Sequence, residues 1–290
     1  MELRLLKYFL AVAREGNISN AAESLHITQP TLSRQLKDLE EHLNTTLFIR
    51  GNRTISLTDD GLLLRKRAEE IVMLVDKTEN DFLHNDSIIS GDIYIGCGET
   101  DAMRIIAKII KNLQKEYPHV KIHLLSGNAD DIIEKLDKGI LDFCILIGFN
   151  NKKYNYIQLP IKDTWGLLMR KDNPLANKTK IIASDLWNIP LLTSKQALDN
   201  NEFSGWLGTD FAKLNIVGTY NLIFNASLLV DEGVGNALCL DKLINTNKSN
   251  LCFIPLSPPL ESSLYIIWKK NYSLSSSATT FLKRIQKEII

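Results

Sequence analysis

The chain has 290 residues, 44% of them apolar and 23% charged, with 34 basic and 34 acidic side chains. That length allows two or three compact units with sizeable cores, and a zero formal net charge means bulk charge points to no partner. Cys97, Cys144, Cys239 and Cys252 stand singly with no C-x-x-C pair, which fits buried free thiols in a reducing compartment and counts against a disulfide framework or a zinc site.

The N-terminal "MELRLLKYFLAVAREG" intersperses charges among its apolar residues, unlike a signal peptide. No apolar run is long enough to span a bilayer, so a soluble cytoplasmic protein with no membrane partner is expected. Leu3, Leu6, Phe9, Leu10 and Ala13 recur at helical spacing, and Gly16 should end that helix. Ser19 is placed to cap a short helix, "NAAESLH", whose small Ala21 and Ala22 let a neighbour approach closely. Thr28 is placed to cap the next helix, with Pro30 tolerated in the first turn, where its missing N–H is not needed.

In "SLHITQPTLSRQLKDLEEHL" the residues Leu32, Leu36, Leu39 and Leu43 share one helix face at about 100° per residue. Pro30, Arg34 and Lys37 point the opposite way, flanked by Gln29 and Ser33. Amide, hydroxyl and guanidinium groups at a helix tip are those that read base edges in the major groove. Two short helices with such a tip on the second describe a helix-turn-helix. In "TLFIRGNRTISLT", Leu47 to Arg50 and Thr54 to Thr58 read as strands around Gly51-Asn52, a hairpin whose tip carries Arg50 and Arg53. That is a wing, with arginines placed for phosphates or the minor groove. Basic and acidic residues nearly balance through Thr58, so a generic basic patch is absent. Periodicity alone is equally compatible with an ordinary helical module.

Thr58, Asp59 and Asp60 suit the start of a long helix. Leu64, Ala68, Ile71, Val75, Thr78 and Phe82 step by 4-3-4-3-4, a heptad seam on a helix of roughly 40 Å over residues 59–86. Packing on its own domain is the simpler role. A dimer interface is favoured, because a two-fold axis would repeat the reading tip.

From Gly91 strands and helices alternate: "DIYIGCG", a helix over 101–117 ended by Pro118, "VKIHLLSG", "ADDIIEKLDKG" with Gly139 as its stop, and "LDFCILIG". Such alternation predicts a parallel α/β domain that binds ligands at the carboxyl ends of its strands. Those ends are Gly98-Glu99-Thr100, Ser126-Gly127-Asn128 and Gly148-Phe149. A second α/β unit follows in "WGLLMRKDNPLA", "IPLLTS", "LNIVGTYN" and "DEGVGNALCL", and the chain closes with the strand "LYIIWKK" and a helix from Ser276. Three segments result: 1–58, a winged helix-turn-helix; 59–88, a linker helix; and 89–290, a two-lobed α/β domain with lobe I at 91–161 and 266–290 and lobe II at 162–265. Gly96-Cys97-Gly98 lacks the third glycine of a dinucleotide loop. His119 and His123 are spaced poorly for a metal. No nucleophile elbow or S-x-x-K signature appears, and no cofactor is expected.

The run from Glu2 to Gly61 resembles the N-terminal domain of LysR-type transcriptional regulators. It carries A-A-E-x-L-H, Q-P-x-L-S-R-Q-[IL]-x-x-L-E, L-F-x-R and L-T-x-x-G in one register. "NPLA", "DLWNIPLL", "LLVDEGVGNALCL" and "IIWKKNYSLSSSATTFLKRI" follow in the family's order. The resemblance implies a cytoplasmic homodimer or homotetramer that binds double-stranded DNA at a partly palindromic site. It also implies a periplasmic-binding-protein-like domain sensing a small-molecule effector. It assigns DNA contacts to Gln29, Pro30, Thr31, Ser33 and Arg34, with Arg50 and Arg53 from the wing. It puts Thr100, Ser126, Asn128, Phe149, Thr193 and Ser194 at the effector cleft. Glu99 and Asp101 flank Thr100, which counts against a simple carboxylate effector. The simpler role for these acids is structural, with Asp101 serving the helix start and Glu99 turned to solvent; the alternative is an effector with a positive group. Two other functions stay open from the residues: an α/β enzyme with a helical appendage, and a solute-binding protein.

Overall fold

A computed structural model describes residues 1–51, 54–82, 89–149, 151–208 and 214–289. They fall into two compact units, Met1–Leu83 and His84–Ile290.

In the first unit, α1 (Leu3–Glu15) ends at Gly16, whose φ of 60° lets its N–H reach Val12 O. Helix α2 (Ile18–Ser24) begins earlier than the sequence suggests: Asn17, not Ser19, is the cap, and its side-chain oxygen accepts from the N–H groups of Ser19 and Asn20. Thr28 stands at the start of α3 (Gln29–Leu43) but makes no capping bond, because its hydroxyl pairs with that of Thr31 at 2.8 Å. Leu32, Leu36 and Leu39 are buried against Leu6, Phe9, Val12 and Ala22. Each such leucine contributes about 1.5–3 kcal/mol. Leu43, on the same face, is 36% exposed because the helix outruns its core.

Strands β1 (Phe48–Arg50) and β2 (Ile55–Leu57) pair antiparallel, with Arg50 opposite Ile55. Asn52 and Arg53 lie outside the described residues. Phe48 packs its ring 5.3 Å from that of Phe9 and so pins the hairpin to α1. Helix α4 (Asp59–Phe82) follows directly. Thr58 Oγ1 donates to Thr46 O at 2.7 Å and accepts from Gly61 N–H at 3.0 Å, joining the hairpin to the helix start. A Cβ on Gly61 would lie 2.2 Å from Leu47 O, so the L-T-x-x-G motif is a packing requirement.

The second unit is built on one nine-stranded sheet. The first lobe holds β3 (Gly91–Cys97), α5 (Met103–Glu116), β4 (Val120–Ser126), α6 (Ala129–Asp137) and β5 (Phe143–Ile147). The 17-residue β6 (Tyr154–Arg170) then runs from one lobe into the other. The second lobe holds β7 (Leu191–Ser194), α7 (Lys195–Asp199), α8 (Ser204–Leu207), β8 (Ile216–Tyr220), α9 (Ile223–Asp231), β9 (Asn236–Leu240) and β10 (Leu251–Pro255). Strand β11 (Glu261–Lys269) returns alongside β6, and α10 (Ser276–Ile289) closes the first lobe.

The fold is α/β, but not wholly parallel. Two parallel triplets, β4-β3-β5 and β8-β7-β9, are joined by antiparallel β6 and β11. A helix after each inner strand makes the crossovers parallel; direct passage from lobe to lobe leaves β6 and β11 antiparallel. Each lobe has its own core, around Phe143 and Phe281 in the first and around Leu167 and Phe203 in the second.

Candidate functional site

On α3 the leucines face inward and the tip faces out. Gln29, Pro30, Thr31, Arg34 and Lys37 are exposed and Ser33 is half-buried. Arg34 makes no ion pair among the described residues, so its five donors remain available. Lys37 is 3.4 Å from Glu41, an exposed pair one helical turn apart that is worth a few tenths of a kcal/mol and is readily exchanged (about 0.3–0.5).

Glu40 has a job that its charge did not announce. Its Oε1 accepts from Leu47 N–H at 2.8 Å and Phe48 N–H at 3.3 Å, tying the far end of α3 to the first hairpin strand. The final glutamate of the L-E pair therefore sets how the hairpin sits relative to the helix tip. The backbone of Arg50 lies in β1, and Arg53 falls outside the described residues.

The heptad seam of α4 divides. Ala68 is fully buried and Leu64 half-buried, both in the core with α1, so these two serve this unit's own packing. The helix start is held against the hairpin, which turns its first two seam positions inward. Ile71 is 39% and Phe82 85% exposed, with half-buried Val75 between them. Lys7 reaches α4 as well, 3.1 Å from Asp76.

In the second unit a cleft lies between the lobes. Of the residues expected there, Glu99, Asn128 and Ser194 line it. Thr100, Asp101 and Ser126 line an adjoining hollow that also includes Lys242 and Arg104. Phe149 lines neither; its ring packs about 6.0 Å from those of Tyr154 and Tyr265, so aromatic packing takes it out of the cleft. Thr193 is fully buried within the sheet, where alternation of side chains along β7 points it away from Ser194.

Two side chains cross the cleft reciprocally. Glu99, from the first lobe, accepts through Oε2 from Ile223 N–H at the start of α9. Gln196, from the second lobe, accepts through Oε1 from Ala129 N–H at the start of α6, 3.0 Å away. Glu99 is therefore not turned to solvent. Asp101 receives Arg104 Nε at 2.7 Å, but it is neither cap nor first-turn acid: α5 starts at Met103 behind Ala102, with no acid in its first turn. Thr100 is 7% exposed and its Oγ1 accepts from Ala102 N–H at 3.0 Å.

Asp163, Glu202, Gln196 and Trp165 escaped sequence reasoning. Asp163 lies on β6 and is 5% exposed; burial raises its carboxyl above its ordinary value, and the neighbouring Thr100 hydroxyl opposes the rise. Trp165 Nε1–H donates to Ser262 Oγ at 2.9 Å, which donates to Glu202 Oε1 at 2.9 Å. No local pattern marks these residues, since their partners lie about a hundred or fewer positions away along the chain. Burial pushes the Cys97 thiol up to about 12 and the Cys144 and Cys239 thiols higher still, which rules them out as ready nucleophiles at neutral pH. Gly96 is a packing residue rather than part of a nucleotide loop: a Cβ there would meet Leu141 Cδ1 at 2.7 Å.

Comparison with known proteins follows this division. Residues 3–62 match the model of bacterial regulatory helix-turn-helix proteins of the lysR family, and residues 88–289 match the LysR substrate binding domain. The Hca operon transcriptional activator HcaR of Escherichia coli (strain K12) is 26% identical over 296 residues, covering 100% of this chain and 98% of that protein. The hydrogen peroxide-inducible genes activator of Pectobacterium carotovorum subsp. carotovorum is 30% identical over 193 residues, 66% of this chain and 64% of that protein, a little under two thirds of its length. Crystalline CbnR, a LysR family transcriptional regulator, superposes with a TM-score of 0.79 at 18% identity, with all of both chains covered.

Proposed function

Since the chain belongs to the LysR family of bacterial helix-turn-helix regulators, we propose that its α3 tip reads DNA and its interlobe cleft binds the small molecule that controls that reading. It is a transcriptional regulator and not an enzyme. Gln29, Thr31, Ser33 and Arg34 would meet base edges, and Pro30, Lys37 and the wing arginines Arg50 and Arg53 would position the backbone. CbnR has been solved with its target DNA, which supports a direct DNA contact for this fold. The observation that carries the reading is α3 itself: buried Leu32, Leu36 and Leu39 hold a tip whose Arg34 has no partner among the described residues.

Self-association as a homodimer or homotetramer would repeat the tip across a two-fold axis, matching a partly palindromic site. Ile71, Val75 and Phe82 are the seam residues of α4 free to serve that contact. In the cleft, Glu99, Asn128 and Ser194 would meet the effector, with Gln196 and Glu202 added to them. An effector that disturbs the Glu99–Ile223 and Gln196–Ala129 bonds would shift one lobe against the other, and it acts only by as much as its affinity differs between the two arrangements.

The test is fluorescence anisotropy with DNA from upstream of the protein's own gene. Arg34→Ala is expected to lose about 1–3 kcal/mol of specific affinity and to relax base preference at one position per half-site. Unchanged affinity for every sequence in that variant would remove α3 as the reader.

A further inference from the structure

Several backbone donors around the cleft are already taken. Five N–H groups at or beside its helix starts each have a side-chain oxygen on them. Asn128 Oδ1 takes Asp131 N–H at 2.8 Å, Gln196 Oε1 takes Ala129 N–H at 3.0 Å, and Asn221 Oδ1 takes Leu222 N–H at 2.9 Å. Ser194 Oγ takes Ala197 N–H at 3.4 Å, and Glu99 Oε2 takes Ile223 N–H. Helix N-termini are where an anion would otherwise bind. Here the protein's own oxygens already hold part of each such N-terminus.

The charge inventory points the same way. Glu99 and Glu202 line the cleft, and no Lys, Arg or His does so among the described residues. Glu202 is held in place from below. Trp165, 5% exposed, donates to Ser262, which donates to Glu202 Oε1, so one carboxylate oxygen is fixed and the other is left over. Glu202 Oε2 and Glu99 Oε1 accept no hydrogen bond among the described residues. A carboxylate ligand would have to approach two like charges with no cation in the cleft's described lining, Lys242 and Arg104 belonging to the adjoining hollow, in a space partly closed to water. Ile147, Leu240 and Leu243 supply apolar wall beside these oxygens.

We propose that the effector of this chain is a primary ammonium compound with an apolar body, its N–H groups bonded to Glu202 and its charge balanced by Glu202 and Glu99 together. The assignment rests on the reading that the cleft is the effector site, and it names the ligand class that this site takes. Two of an ammonium's three donors match the two unfilled carboxylate oxygens, and the aliphatic or aromatic remainder covers the apolar wall. Glu99 then links binding to response, because the same carboxylate that meets the ligand's charge also caps α9 in the opposite lobe.

Isothermal titration calorimetry on the full chain tests this with three amines, benzylamine, isoamylamine and putrescine, against three acids of related shape, benzoate, isocaproate and adipate. Saturable binding is expected from at least one amine and from none of the acids. Glu202→Gln should weaken that amine on the order of 10- to 100-fold, the loss of one charge-assisted hydrogen bond. Ser262→Ala, which only frees the carboxylate to turn, should weaken it less, and both variants should keep a cooperative tryptophan-fluorescence transition, which follows the second unit, as proof of folding. Silence from all three amines, binding by an acid that Glu202→Gln does not weaken, or an amine affinity unchanged in Glu202→Gln overturns the assignment. Failure of the underlying reading would appear elsewhere, as an absence of specific DNA binding by the unliganded wild-type chain.

Discussion

Replacing Gly61 by alanine puts a single methyl group into the joint between the hairpin and α4. The new Cβ would stand 2.2 Å from Leu47 O and 3.2 Å from Leu57 Cβ. Leu47 O cannot swing aside, because it accepts from Thr58 N–H at 3.0 Å and Leu47 N–H is itself held by Glu40. Overpacking of this kind costs about 1–3 kcal/mol, and a contact with fixed backbone belongs at the upper end. Alanine returns about 1 kcal/mol through its better helix propensity. The net loss is about 2 kcal/mol, which in a unit of this size lowers its melting temperature by about 8–16 °C.

The molecule supplies its own control for that experiment. Trp165, Trp187, Trp206 and Trp268, the protein's 4 tryptophans, all lie in the second unit, so tryptophan fluorescence follows that unit alone. Hydrogen exchange by mass spectrometry follows α1 to α3. Gly61→Ala should raise exchange across those helices and leave the fluorescence transition where it was. Unaltered exchange in α1 to α3 would refute the packing account of this glycine.

The α4 seam makes two opposite predictions. Phe82→Asp, at a position 85% exposed, should leave the first unit's stability alone and weaken self-association in sedimentation velocity, whereas Ala68→Asp, at a fully buried position, should unfold the unit. Buried thiols predict a pH response. The Cys97 thiol rises from 9.0 to about 12 on folding, so between those values the unfolded chain loses a proton that the folded chain keeps. Stability contributed by the protonated thiol is thus full below pH 9 and falls as pH rises, by at most about 1.4 kcal/mol per pH unit. Urea midpoints for wild type and Cys97→Ala at pH 7 and pH 10 check this: the variant should show the smaller drop.

Helices were legible in the sequence because their evidence is local. Leu32, Leu36 and Leu39 announce a buried face within three turns, Gly16 announces a stop by its own conformational freedom, and Pro30 fits a first turn wherever the rest of the chain goes. The motif residues around them carried the family. Even here the local signal had limits: whether Asn17 or Ser19 caps α2 depended on which oxygen reached the free N–H groups, and spacing does not say.

Strand periodicity says that a segment alternates faces, not which strand lies beside it, so the single long β6 read as pieces of two domains. The same gap hid the working parts of the site. Glu99 is an acid beside a threonine until the fold brings its carboxylate onto the N–H of Ile223, 124 residues away. Glu40 is one charge among several until the hairpin folds back to offer two N–H groups. Trp165 and Ser262 become one relay only because β6 and β11 run side by side. Sequence specified which residues could bond, cap or bury, through chemistry each carries alone. Tertiary structure decided which of them meet, because a hydrogen bond or a packed methyl is fixed within about 3–4 Å in space, whatever the distance along the chain.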